Sequence, residues 1–376
     1  MRPQGSHREQ RRLRRSWFGW VIVAGLILSA CAQDYPQSAL DPAGPIARQQ
    51  DNLWNLVFVI AIVVFVLVQG AIIYALFRFR ERKDDDGQIP KQVAGNTKLE
   101  ILWTAIPALI LVGVAIPTVQ TIFELAGRPD GDPLEVRVVG KQYFWEFEYT
   151  GDEGQGVITA TELHIPTDRP VYLTMESRSA VVTDTGAGAE GEARNGVIHS
   201  FWVPRLAGKQ DVVAGHVREL TIQADEPGRY PGACAEFCGL SHARMRFYVE
   251  AQEPAEFEDW LADQAEPAVA DFDTELAAEG ERLVSSDTIG QQCIACHAID
   301  GYDAEGDQVA NQRIGPNLTH FASRETFAGG FLALNEENVQ AWLDNPQALK
   351  PGAQMPRLGL TPDQIDAITA YLLSLE

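Results

Sequence analysis

The chain has 376 residues, of which 45% are apolar and 22% are charged, and its formal net charge at pH 7 is −22. This length leaves room for two or three domains, and the apolar content excludes a disordered chain. Five cysteines are too few for a disulfide-stabilised scaffold, and the excess of acidic residues argues against nucleic-acid binding.

The charges are distributed unevenly along the chain. Residues 1–125 contain 13 basic and 10 acidic residues, whereas residues 126–376 contain 17 basic and 42 acidic ones. A slightly basic, apolar front part therefore precedes a strongly acidic rear part. Such acidity is expected either for solubility or for attracting a basic partner.

The first thirty residues have the composition of a bacterial signal peptide. Six arginines lie within residues 1–15, and residues 17–30 carry no charge, a stretch too short to span a bilayer. The stretch ends in Leu28-Ser29-Ala30-Cys31, which resembles a lipobox and implies cleavage before Cys31 and lipidation of that residue. An ordinary signal peptide, or a short anchor with an unmodified Cys31, is the alternative.

Two uncharged stretches, residues 53–77 and 101–119, predict transmembrane helices at about 53–79 and 99–122. The connection between them carries six Lys and Arg residues, which the positive-inside rule places in the cytoplasm. We therefore predict a transmembrane hairpin over residues 31–130, in the plasma membrane of a bacterium, with everything after it on the extracytoplasmic side.

The next 130 or so residues are predicted to form an all-β domain, because short runs rich in β-branched and aromatic residues alternate with Gly, Pro and Asp. These runs are 134–149, 157–165, 170–176, 197–203, 216–223 and 245–250. The pattern indicates a β-sandwich or barrel over residues 131–264, with a loop at 183–196 and a linker at 265–273.

Residues 274–376 are predicted to be all-α. The final helix is the best marked, since Thr361, Pro362 and Gln364 form a capping-box pattern before an apolar face. Cys293, Cys296 and His297 form a C-x-x-C-H motif, the attachment signature of a c-type haem. His297 would ligate the iron from one side.

The second axial haem ligand follows from elimination. Met355 is the only methionine in this region, and a thioether suits electron transfer because it raises the haem potential. His320 is the alternative ligand, and Met355 would then be an ordinary core residue. The region resembles a small class I monohaem cytochrome c.

A second cysteine pair lies in the all-β domain, in the pattern C-x3-C-x3-H-x2-M formed by Cys234, Cys238, His242 and Met245. His199 lies in a predicted strand upstream. Thiolate, imidazole and thioether ligands together favour copper, and two thiolates can bridge two copper ions. Zinc in a Cys2His2 site is the alternative, although it leaves Met245 without a role. Two disulfides are a further alternative for an exported chain.

These motifs closely resemble subunit II of the haem–copper cytochrome c oxidases over residues 51–263. The resemblance implies a cupredoxin-like domain with a dinuclear copper A centre. It implies bridging by Cys234 and Cys238, one histidine ligand for each copper from His199 and His242, and a weak bond from Met245.

The same resemblance assigns two roles to Glu236. Its backbone carbonyl would bind copper, and its carboxylate would reach a magnesium ion at the interface with subunit I. With the haem domain included, the chain resembles the subunit II of oxidases that carry a fused cytochrome c.

The chain departs from the family pattern at two positions. Tyr143, two residues before Trp145, stands where the family has the tryptophan that receives electrons from soluble cytochrome c. This replacement fits electrons arriving from the tethered haem, and the resemblance makes Tyr143 and Trp145 the candidate residues for electron entry. Gly196 stands where the family has an aspartate three residues before the first copper histidine.

Glu100 opens the second transmembrane helix, and the family places it at the entrance of a proton pathway. Attraction between its carboxylate and the helix dipole is the simpler explanation.

Taken together, these features predict the subunit through which electrons enter a terminal oxidase. Its partners would be subunit I, which reduces oxygen, subunit III, and cytochrome c or an upstream respiratory complex as donor. The alternative is a membrane-anchored haem and copper carrier that serves another reductase. Nitrous oxide reductase is excluded because its cluster needs many histidines and the chain has seven. Quinol oxidase subunit II is excluded because it lacks the copper ligands.

Overall fold

The structure is a computed structural model that describes residues 35–80, 92, 95–150, 156–178, 196–268, 274–286, 288–299 and 314–376. The chain divides into two compact units, Met1–Ser38 and Ala39–Glu376. The predicted signal peptide and Cys31 lie outside the described residues, as does most of the loop predicted at 183–196. The two long helices, the β-domain and the C-terminal domain all belong to the second unit.

Two long helices form the front part of this unit. Helix α1 spans Pro45–Arg78 and helix α2 spans Thr97–Leu125, and both are long and apolar enough to cross a membrane. Helix α1 begins earlier than predicted, because its polar first turns fall outside the uncharged stretch and Pro45 supplies a favourable first position. There Arg48 forms an ion pair with Asp225 of the β-domain.

The predicted all-β domain is confirmed as two five-stranded sheets. Its strands are β1 (Leu134–Lys141), β2 (Phe144–Tyr149), β3 (Ile158–Ala160), β4 (Glu162–Pro166), β5 (Val171–Ser177), β6 (His199–Trp202), β7 (Gln210–Val212), β8 (Arg218–Ile222), β9 (Gly228–Cys234) and β10 (Arg246–Gln252). One sheet has the order β3-β2-β1-β5-β8 and the other β4-β10-β9-β6-β7. The pairs β1–β5 and β4–β10 are parallel, and the remaining pairs are antiparallel.

An aromatic cluster fills the space between the two sheets. Trp145 and Phe147 from one sheet meet Phe201 and Phe247 from the other, with Phe201 and Phe247 stacked at a centroid distance of 4.4 Å. All four side chains are fully buried. Helix α3 (Pro254–Ala265) closes one end of the sandwich through Phe257 and neighbouring apolar residues.

The C-terminal domain is mainly helical, as predicted. It contains α4 (Glu275–Val284), α5 (Ile289–Ile294), α6 (Glu336–Asp344), α7 (Pro346–Leu349) and α8 (Pro362–Leu372), together with a short hairpin of β11 (Thr326–Phe327) and β12 (Leu332–Ala333). The hairpin was not predicted, because two-residue strands leave no periodic pattern. The predicted capping box at the start of α8 is confirmed in both of its hydrogen bonds.

Helices α4 and α8 lie in close contact at Gly280. A Cβ atom added there would overlap the carbonyl oxygen of Ala367 and lie 2.6 Å from Cβ of Tyr371. Because the obstacle includes backbone atoms, side-chain rotation cannot relieve the overlap. The glycine therefore sets the distance between the first and last helices of the domain.

We predict that Gly280→Ala destabilises the C-terminal domain by about 1–3 kcal/mol, through overpacking against helix α8. Hydrogen-exchange mass spectrometry should show faster exchange in α4 and α8. Leu276→Ala, at an exposed position of the same helix, is the control and should exchange like the unmodified chain. Unchanged exchange in Gly280→Ala would show that the close approach does not limit stability.

Candidate copper and haem sites

The four residues of the C-x3-C-x3-H-x2-M motif lie on one loop between two neighbouring strands. Cys234 ends β9, and a 3₁₀ turn over His242–Arg244 leads into β10. The backbone amide of Cys234 donates to the carbonyl of Met245 at 3.0 Å, which closes the loop at its base. We call residues 234–245 the copper loop.

His199 reaches this loop from the adjacent strand β6, where it is completely buried. Its Nδ1 lies 3.8 Å from Sγ of Cys234, and Nδ1 of His242 lies 3.7 Å from Sγ of Cys238. The two sulfur atoms are 3.9 Å apart. Two imidazole–thiol pairs therefore face each other.

Two weaker donors complete the group. Sδ of Met245 lies 3.8 Å from Sγ of Cys238, and the carbonyl oxygen of Glu236 lies 3.2 Å from Sγ of Cys234. The side chains of His199, Cys234 and Cys238 are buried and their ligand atoms lie within 4.8 Å of one another. The six residues predicted from the sequence are thus brought together.

The donor set fits copper. Both cysteines are free, so the structure does not support a disulfide between them. The hydrogen bond between the thiols lowers the pKa of Cys234 and raises the pKa of Cys238, which means that the pair holds one proton tightly. Sulfur and imidazole ligands in a dry site are the combination that copper prefers.

The C-x-x-C-H motif lies at the end of α5 and faces a cavity in the C-terminal domain. Cys293, Cys296 and His297 line this cavity, and Met355 lines it as well. Nδ1 of His297 lies 2.8 Å from the carbonyl oxygen of Pro316, which fixes the ring and leaves Nε2 available. Burial lowers the pKa of His297, so the ring is neutral and suited to bind a metal.

The apolar lining of the cavity suits a haem, and Met355 is held within it. The indole Nε1 of Trp342 donates to Sδ of Met355 at 3.1 Å. A Cβ atom at Gly315 would lie 2.6 Å from Cε1 of His297, so the ring needs a glycine beside it. His320, the alternative ligand, is not among the cavity residues and bonds the carbonyl of Glu266 at 3.0 Å.

The cavity also borders the β-domain, because Gln142, Tyr143, Phe144 and Thr161 contribute to its lining. The carbonyl oxygen of Tyr143 accepts a hydrogen bond from Nζ of Lys350 in the haem domain. The other predicted electron-receiving residue, Trp145, is buried and meets the ring of His199 edge-on at 5.7 Å. The segment predicted to receive electrons therefore lies between the two candidate sites.

A group of charged residues also joins the two domains. Arg229 forms ion pairs with Glu162, Glu250 and Glu325, the last of which belongs to the haem domain. The buried carboxylate of Glu162 also accepts hydrogen bonds from the amide and hydroxyl of Thr326. These residues could not be identified from the sequence, since isolated charges give no signal of an interface.

Glu100 lies in the first turn of α2, where its side chain accepts from the backbone amide of Asn96 at 3.2 Å. Asn96 in turn accepts from the amides of Lys98 and Leu99. This reciprocal bonding stabilises the start of the helix. Among the described residues, the group of side chains that could hold a metal ion is His199, Cys234 and Cys238, and the Glu236 carboxylate is not part of it.

Comparisons with known proteins match this architecture along its length. Residues 32–121 match the family "Cytochrome C oxidase subunit II, transmembrane domain", residues 134–252 match "Cytochrome C oxidase subunit II, periplasmic domain", and residues 277–376 match "Cytochrome c".

Relatives with the same name cover nearly the whole chain. Cytochrome c oxidase subunit 2 of Alkalihalophilus pseudofirmus is 35% identical over 359 residues, which is 93% of this chain and 94% of the relative. The protein of the same name from Bacillus sp. (strain PS3) is 37% identical over 377 aligned residues, covering 96% of this chain and 97% of the relative.

A solved structure, the periplasmic domain of subunit II of cytochrome oxidase from Bradyrhizobium japonicum, is 24% identical and covers 36% of this chain and 96% of that chain, with a TM-score of 0.30. The relatives and the matched families lead to one assignment. The chain belongs to the cytochrome c oxidase subunit II family and carries a cytochrome c domain at its C-terminal end.

Proposed function

We propose that this chain receives electrons from an external donor at a covalent haem c and passes them through a dinuclear copper A centre to subunit I. Oxygen is reduced to water in subunit I, and proton translocation is coupled to that reduction. The observation that carries the proposal is the shared border of the two sites, where Tyr143 lines the haem cavity while Gln142, its neighbour, bonds the copper loop.

The chain's own residues would hold both groups. Cys234 and Cys238 would bridge two copper ions, His199 and His242 would each bind one ion, and Met245 and the carbonyl of Glu236 would bind weakly. Cys293 and Cys296 would hold the haem covalently, with His297 and Met355 as axial ligands. Both groups supply one-electron redox chemistry when bound.

The β-domain prepares the copper site by excluding water and fixing the ligands. His199 is anchored on a strand, and Trp145 packs against its ring. The remaining ligands lie on a loop whose ends are fixed by the pairing of β9 and β10. A site held in this way needs little rearrangement when its charge changes, which favours fast electron transfer.

Three further assignments belong to this proposal. Glu236 would give its carboxylate to a magnesium ion shared with subunit I, Glu100 would lie at the entrance of a proton pathway, and subunit III would complete the complex. The chain would lie in the bacterial inner membrane with both redox domains outside, anchored additionally by lipid on Cys31.

The competing function is that of a carrier that serves another reductase. Co-purification of the chain with a haem-a-containing subunit distinguishes the oxidase subunit from such a carrier.

The copper assignment predicts two copper ions per chain and the spectrum of a thiolate-bridged mixed-valence pair. Cys234→Ser and Cys238→Ser should each abolish that spectrum, because one bridge cannot hold two ions. Metal analysis and electron paramagnetic resonance of the purified oxidase measure this. Cys293→Ser is the control and should leave the copper spectrum intact. One zinc ion and no copper in the native protein would contradict the assignment.

The donor route predicts that removal of residues 274–376 leaves the copper centre assembled and active with small artificial reductants. Turnover with the physiological donor should fall by at least about tenfold, because the tethered haem provides a high effective concentration at the copper domain. Stopped-flow and steady-state oxidation assays measure both activities.

Two further variants serve as comparisons for the donor route. The full chain with both haem cysteines replaced by alanine keeps the interface covered and should lose the same turnover. Met355→His should retain the haem, lower its potential and slow transfer to copper. Full turnover by the truncated chain with its natural donor would show that the haem is dispensable.

The topology predicts that protease added to intact spheroplasts releases the part of the chain after residue 125, since the basic connection Arg78–Lys98 is predicted to lie inside. Immunoblotting with antibodies against the haem domain follows the release. Cleavage only after lysis would show that the chain has the opposite orientation in the membrane. In the same preparation, a mass increase that disappears in Cys31→Ala would demonstrate lipidation.

A further inference from the structure

The loop that carries Met355 is hydrogen-bonded directly to the copper loop. We call residues 349–356 the methionine loop. Oγ of Ser241 donates to the carbonyl of Pro351 at 2.6 Å, and the guanidinium of Arg244 donates to the carbonyl of Leu349. Ser241 precedes the candidate copper ligand His242. The two loops that hold ligands of the two sites thus touch each other.

Lys350 lies at the centre of this contact. Its side chain is buried, with 2% exposed, and Nζ donates to the carbonyl of Tyr143 in the β-domain and to the carbonyl of Ala328 in the haem domain, both at 2.6 Å. Within the described part of the chain no carboxylate forms an ion pair with it. Two backbone carbonyls, one from each domain, therefore accept hydrogen bonds from this buried amine.

The surroundings of Lys350 are shaped for this bond. Gly329 has φ of +69°, and a Cβ atom there would overlap the Tyr143 carbonyl and lie 2.6 Å from Nζ of Lys350. The backbone amide of Arg246 donates to the carbonyl of Gly329 at 2.8 Å, which fixes that glycine against the strand following the copper loop. A side chain at position 329 would therefore separate Nζ of Lys350 from the carbonyl oxygen of Tyr143.

A short series of bonds leads from Lys350 to the copper loop. Nζ of Lys350 donates to the carbonyl of Tyr143. The residue before Tyr143 is Gln142, and its Nε2 donates to the carbonyl of Cys238 in the copper loop at 2.6 Å. Met355 follows Lys350 by five residues. Electronic coupling decays more slowly through covalent and hydrogen bonds than through empty space. Lys350 thus supplies one of the two hydrogen bonds in the series from the methionine loop to a cysteine of the copper site.

We propose that Lys350 is a positioning residue for electron transfer between the two sites. It holds the methionine loop in one fixed geometry against residues 142–144, which we call the Tyr143 segment. This inference rests on the proposed function. One electron leaves the ferrous haem, which becomes ferric, and the copper pair gains that electron. No bond is broken and no co-reactant is consumed within the chain.

The test uses the purified oxidase with Lys350→Met, which keeps the length of the side chain but removes the donor, and Lys350→Arg, which keeps a charged donor. Arg357→Met is the matched control, because Arg357 lies on the same domain and pairs with exposed Asp344. A laser flash delivers one electron to the haem, and absorbance follows haem oxidation and copper reduction.

We expect Lys350→Met to slow haem-to-copper transfer by about tenfold, since the Tyr143 carbonyl loses its buried donor. Lys350→Arg should recover a large part of the rate, and Arg357→Met should transfer as the unmodified enzyme does. The haem and copper spectra, including the methionine-ligation band, should persist in all three variants, and Tyr143 segment amides should exchange faster in Lys350→Met.

A second measurement does not depend on electron transfer. Acylation of lysines in the native complex, read by mass spectrometry, should modify exposed Lys209 and leave Lys350 unmodified. Equal modification of the two lysines would overturn the proposal.

Three electron-transfer outcomes are also decisive. Equal rates in Lys350→Met and Arg357→Met would overturn the positioning role. Loss of the methionine-ligation band in Lys350→Met would overturn it too, because Lys350 would then support its own domain alone. Absence of transfer in the unmodified enzyme would instead refute the proposed function.

Discussion

Cys234 and Cys238 must stay side by side in a site that excludes water, and the β-domain is arranged around that requirement. Three strands of one sheet position the candidate ligands: β6 carries His199, and β9 and β10 hold the ends of the copper loop. The aromatic cluster between the sheets reaches the site through Trp145, which packs against the ring of His199. A thiol pair that shares one proton becomes a metal site once that proton is displaced.

The haem domain docks on this site through directed polar contacts. Arg229 with its three carboxylates fixes one side of the interface, and the Lys350 bonds fix the other. Burial raises the pKa of Glu250 to about 7, while the Glu325 side chain at the other end of the group is exposed. Hydrogen bonds and ion pairs of this kind define orientation more strictly than an apolar surface does, and electron transfer depends on orientation.

Much of this arrangement could be predicted from the sequence, because periodicity and motif spacing are local signals. The two uncharged stretches, the alternating strands and the capping box at Thr361 were all predicted. Strand β9 was not, since its Gly and Pro residues mask the alternation. Lys350 and Arg229 could not be identified, because a lysine or arginine in a loop has the same local pattern whether it faces water or another domain.

The position of Tyr143 connects the tethered domain with the choice of donor. Its side chain is only 6% exposed, because the haem domain covers the surface where the family's tryptophan would meet soluble cytochrome c. A diffusing donor cannot reach this segment while the domains are docked. Under the proposed function, an electron is therefore delivered to the haem domain first, and a tryptophan that serves transient docking has no role at position 143. In that proposal, the permanent interface between the two domains takes the place of a diffusional encounter with soluble cytochrome c.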